Sequence, residues 1–152
     1  MSNDFMTELN NIGNQIRDNN AKIEDWCRQC GEIQGKIDRL KIAKDKIKWV
    51  SMSVWGNKYS TDMKGGELEY DSNWVGIGKN YTRAVYAGVS DDLDRILKLC
   101  EFLMAAIDAK IQELREGHSL LEAAVGEISN LNDKLEEDKR KIRKNVSETL
   151  RK

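Results

Sequence analysis

Cys27-Arg28-Gln29-Cys30 is the sharpest chemical signal in this chain. A C-x-x-C pair can supply half of a zinc site or a redox couple. Structural zinc needs four ligands, and the remaining candidates are Cys100 and His118. On one helix those two stand about 27 Å apart, too far to share an ion, so no metal site is expected. A thioredoxin-like couple needs a strand-turn-helix setting, which the surrounding sequence does not offer. Two readings of Cys30 and Cys100 stay open. They form a disulfide across a hairpin, or they are small buried hydrophobes kept reduced. His118 is the single histidine and reads as part of a helical stripe. No Ser/His/Asp arrangement and no glycine-rich phosphate loop accompanies it. No catalytic residue and no cofactor is expected.

The elements that carry these residues are long helices. From Phe5 through Leu9, Ile12, Ile16, Asn19, Ile23, Trp26 and Cys30 to Ile47, Ser51 and Val54, inward positions alternate by three and four. That spacing is a heptad seam of about seven repeats. Asn19, Lys44 and Ser51 are its polar members. The spacing predicts a first helix over about 3–54. Trp55 to Asn73 breaks the pattern, and Gly65-Gly66 at its centre predicts a turn, giving a connection over 55–73. A second stripe runs from Val89 through Leu93, Ile96, Cys100, Leu103 and Ile107 to Ile111, Leu114 and beyond, with a phase shift at Ile107–Ile111. It predicts a second helix over 74–150; Gly88 and Gly117 are the points where a kink is open, but the stripe runs through Gly117 and favours continuity there.

Two long helices joined by a turn fold back antiparallel. A turn at Gly65-Gly66 pairs residues whose numbers add to about 130 to 134. Cys30 then faces Cys100, and Lys44 either snorkels out of the seam or meets Asp91 or Asp92. The first helix runs out opposite residues near 130, so 131–152 is expected to overhang as a charged tail with a thin apolar line at Leu135, Ile142 and Val146. Gly13, Gly31 and Gly35 share nearly one face and can admit another helix closely.

Composition narrows the function. Lys and Arg total 25 against 26 Asp and Glu, so a nucleic-acid partner is not expected. Charged residues make up 34% and are mixed in sign, with patterned apolar residues between them, which argues against disorder. The first twenty residues hold no apolar run suited to a signal peptide, and no stretch approaches the roughly 18 apolar residues of a membrane span.

Trp74-Val75-Gly76, lying between two such helices, resembles the W-x-G signature of the WXG superfamily of type VII secretion substrates. The long helices around it look more like the small helical partner proteins encoded beside LXG toxins in Gram-positive bacteria. The resemblance rests on Trp74 and Gly76, with Trp55-Gly56 as a partial second match. It implies that Gly76 lets the chain turn where a side chain would clash and that Trp74 covers the open end of the helix pair. Exported relatives carry a Tyr- or Phe-led x-x-x-acid signal after the second helix. Here no Tyr or Phe follows Phe102, which implies a passenger or a cytosolic helper.

The expected fold is all-α: an elongated, coiled-coil-like antiparallel hairpin with the W-x-G in its connection. The resemblance implies a non-enzymatic targeting partner for the helical N-terminal domain of an LXG toxin, with a second small helical protein as a further partner. Such a protein is cytoplasmic or co-exported through type VII secretion, without membrane insertion. The alternative is a self-associating coiled-coil scaffold, homodimeric when alone. Interface candidates are Asn19, Trp26, Gly31, Gly35, Lys44, Trp55, Leu135, Ile142 and Val146.

Overall fold

A computed structural model describes residues 2–70 and 76–152. The chain is an all-α hairpin of two helices packed on one another, α1 (Ser2–Tyr70) and α2 (Ile77–Arg151). Two compact units divide it. One holds residues up to Lys36 together with those from Glu113 on, and the other spans Ile37–Gln112.

The expected seam of α1 is present throughout. Every position named from Phe5 to Val54 is half-buried or buried, and Ile12 and Ile37 are the most enclosed. The helix does not stop at 54. It runs on through Gly65-Gly66 to Tyr70. The reason is that the three-four alternation continues through Lys58, Thr61 and Gly65, all half-buried, although these residues carry little hydrophobic signal. Without proline, two interior glycines cost about 1 kcal/mol each against alanine, which packing can offset. Gly65 sits beneath α2: a Cβ there would stand 3.6 Å from Tyr86 Cβ. The 55–73 connection is therefore corrected to the stretch between Tyr70 and Ile77.

This shift changes the register. In the first unit, Asn19 Nδ2 donates to Asn132 Oδ1 and Asn132 Nδ2 donates to Asn20 Oδ1, each at 2.9 Å. In the second unit, Lys44 Nζ meets Asp108 at 2.7 Å and Ser90 Oγ donates to Asp62 at 2.6 Å. In each unit the paired numbers add to about 151 or 152, not 130 to 134, as follows for antiparallel helices when the turn moves about ten residues later. Lys44 therefore pairs with Asp108 rather than Asp91 or Asp92. The overhanging tail is also overturned. Leu135, Ile142 and Val146 are half-buried, and Lys139 and Arg143 share a groove with Met6, Leu9 and Gly13 of the N-terminal turns.

On α2 the inward positions are Leu93, Leu97, Cys100, Met104, Ile107 and Ile111. They alternate by four and three without the phase shift inferred from Ile96 and Leu103, which are exposed. The alternation continues to Val146 through three polar positions, His118, Asn132 and Lys139. The helix is uninterrupted at Gly88 and Gly117. No large side chain is fully shielded among the described residues, as befits a seam between two helices rather than a thick core.

Trp74 and Val75 of the W-x-G lie outside the described residues. Gly76 is described, and its φ is 97°. Its carbonyl accepts the Asn80 N–H at 3.2 Å, so it stands at the N-cap of α2. Among the described residues, no heavy atom lies within 4 Å of where its Cβ would be. The left-handed backbone is itself a reason for glycine here.

Candidate partner-binding surface

Large exposed hydrophobic residues are distributed unevenly between the two units. Met6, Leu120, Leu131 and Leu150 are those of the first unit among the described residues, and all four stand apart in sequence. The second unit carries many more, on both helices, and most of them fall into two ordered lines.

One line lies on α1. Ile42, Asp45, Trp49, Met52, Gly56, Tyr59 and Met63 repeat by three and four, the spacing of the inner seam but turned to the far side of the helix. All seven are exposed, Trp49 by 74% and Met52 by 62%. Trp55 borders this line and stacks on Tyr59, with ring centroids 6.0 Å apart and planes inclined by 10°. Each ring limits the other's rotamers, so the aromatic surface is held in place rather than averaged over rotamers. Single exposed apolar residues are ordinary, but an ordered stripe of them marks an interaction face.

A second line lies on the flank of α2: Val85, Val89, Ile96, Leu99 and Leu103, all exposed. Ile96 and Leu103 were expected in the seam. They border it instead, because Leu97 and Met104 take the inward places one residue later.

Most of the other interface candidates act inside the hairpin. Asn19 bonds Asn132 and Lys44 bonds Asp108. Trp26 and Gly35 are half-buried, as are Leu135, Ile142 and Val146. Of the candidates, Gly31 and Trp55 are exposed. Ile42, Trp49, Met52, Tyr59 and Met63 were not anticipated. Their signal is a second three-four phase on the same helix, overlaid on the inner seam and interrupted by Asp45 and Gly56.

The cysteines offer no bridge. Cys27, Cys30 and Cys100 are all free thiols, so the disulfide reading of Cys30 and Cys100 gives way to that of unbridged thiols. Cys100 is buried. Cys30 is half-buried, and desolvation, then the charges of Glu122 and Cys27, push its thiol above the ordinary value, which disfavours the reactive thiolate. His118 lies half-buried with Nδ1 3.6 Å from Glu122 Oε1. Among the described residues, no group of three or more His, Cys, Asp or Glu could hold a metal, and no helix is long and apolar enough to cross a membrane.

No known protein family, curated protein or solved structure matches this chain. The exposed apolar surface and the W-x-G resemblance are the features that bear on function.

Proposed function

We propose that this chain is a non-enzymatic helical binding partner that packs on the helical N-terminal domain of an LXG-type toxin and promotes its export through a type VII secretion system. One observation carries the binding role: the ordered apolar lines exposed on both helices between Ile37 and Gln112. A helix with apolar stripes on two faces is suited to sit between other helices. The secretion context comes from the resemblance at Trp74 and Gly76. The protein acts in the cytoplasm or travels with its partner.

Co-expression with the helical N-terminal domain of an LXG toxin encoded beside it, followed by size-exclusion chromatography, tests this reading. The expected result is one co-eluting complex. A stable homodimer that ignores the toxin would replace it with the second reading, a self-associating scaffold, which the same exposed stripes favour.

A further inference from the structure

We propose that the outer face of α1 between Ile42 and Met63 seats a single partner helix whose apolar stripe is bordered by acidic residues. This rests on the binding-partner reading and adds the face and the charge of the partner. The stripe covers about 30 Å at 1.5 Å per residue, which corresponds to three heptads of the incoming helix.

The shape of the face is that of a packing surface. Gly56 interrupts it, with no heavy atom within 4 Å of where its Cβ would stand. That leaves a hole in the row between Met52 and Tyr59, of the kind a large knob from a facing helix fills. The Trp55–Tyr59 stack forms one wall.

The charge of the face is polarised. Arg39, Lys41, Lys46 and Lys48 border its N-terminal half and are exposed. Among the described residues none of the four is in an ion pair, whereas Lys44 is matched by Asp108 and Lys58 by Asp62. Asp45 is the one acid within Arg39–Lys48. Four unmatched cations against one acid favour a partner helix with Glu or Asp beside its apolar residues at that end, and set its direction. A second copy fits less well. Two such faces aligned in parallel bring cations onto cations. The apolar flank of α2 includes Asp92, but Asp92 is matched by Arg95 at 3.5 Å.

The test uses the full chain and two synthetic three-heptad peptides with Leu at their apolar positions. One carries Glu at the flanking positions and the other Lys. Binding is read from Trp fluorescence and fluorescence polarisation. The Glu peptide is expected to bind at least tenfold tighter at low salt, with the gap narrowing as salt rises. Tyr59→Glu and, separately, Trp49→Glu should each weaken it at least tenfold while melting and helical content stay unchanged. Equal binding of the two peptides overturns the charge assignment. Loss on Ile96→Glu but not on Tyr59→Glu overturns the face. A homodimer of the unmodified chain that Tyr59→Glu dissociates assigns the face to a second copy and also overturns the proposal. The two readings fail separately. If the toxin domain co-elutes equally with wild type and Tyr59→Glu, the face is wrong and the partner role stands. If it co-elutes with neither, the partner role fails and the peptides alone decide the face.

Discussion

The Asn19 side-chain amide donates to Asn132 Oδ1 at 2.9 Å, joining residues 113 positions apart in the chain. Asn132 is buried to 8% exposure and also bonds Asn20. A polar pair at seam positions gives up some stability and specifies which residues meet. Asn132→Ala should therefore destabilise the chain by about 1–2 kcal/mol, the usual effect of removing a partner from enclosed hydrogen bonds. The double variant Asn19→Leu with Asn132→Leu should recover that loss while adding higher-order species. Urea unfolding and light scattering check the two halves of this prediction.

Continuation of α1 through Gly65-Gly66 gives a second prediction. Gly66 has open space around it, so Gly66→Ala should stabilise the chain by about 1 kcal/mol through helix propensity. A turn needing glycine would respond with destabilisation. Thermal unfolding decides between them.

Gly76 should respond in the opposite direction. Its φ of 97° is poorly suited to any residue with a Cβ, so Gly76→Ala should cost about 1–2 kcal/mol. Comparing Gly66→Ala with Gly76→Ala in the same unfolding series controls for the substitution itself.

Asp62 links stability to pH. The hydrogen bond from Ser90 and then the one from Lys58 hold its carboxyl below the ordinary aspartate value. A depressed carboxylate stabilises the folded chain above the ordinary value, and that contribution is lost as pH falls through the depressed one. Asp62→Asn should lower the urea midpoint at pH 7, and the difference from wild type should shrink by pH 3. An equal difference at both values would show that the carboxylate charge is not involved.

These results also explain which parts of the fold were legible from sequence. The inner seam of α1 up to Val54 was readable because apolar residues recur there at three and four. Beyond it, Lys58, Thr61 and Gly65 hold the same geometric places without hydrophobicity, and Gly65-Gly66 resembled a turn. The misplaced turn then displaced the register, the Lys44 partner and the tail together. On α2, Ile96 and Leu97 are both apolar, as are Leu103 and Met104. Periodicity alone could not choose between adjacent apolar positions, and the packing of α1 makes that choice. The outer stripe of α1 was missed because a second phase on one helix has no place in a single-seam reading.

The polar seam positions of α1 from Lys58 to Gly65 bear on the order in which the chain folds. Near the turn the helices meet through Lys58, Thr61 and Gly65, whereas Ile37 and Ile111 are among the most enclosed residues of the same unit. Asp62 and Ser90 are separated by 28 residues and Lys44 and Asp108 by 64. Closing the longer loop costs only on the order of 0.7 kcal/mol more, less than the burial of about one methylene group returns. Contact order alone would start pairing at the turn, but this distribution of apolar residues starts it further along the helices. Folding kinetics should accordingly give Ile111→Val a high φ-value and Thr61→Ala a low one. The stretch from Lys58 to Gly65 would then pair with α2 later than the stretch around Ile37 and Ile111.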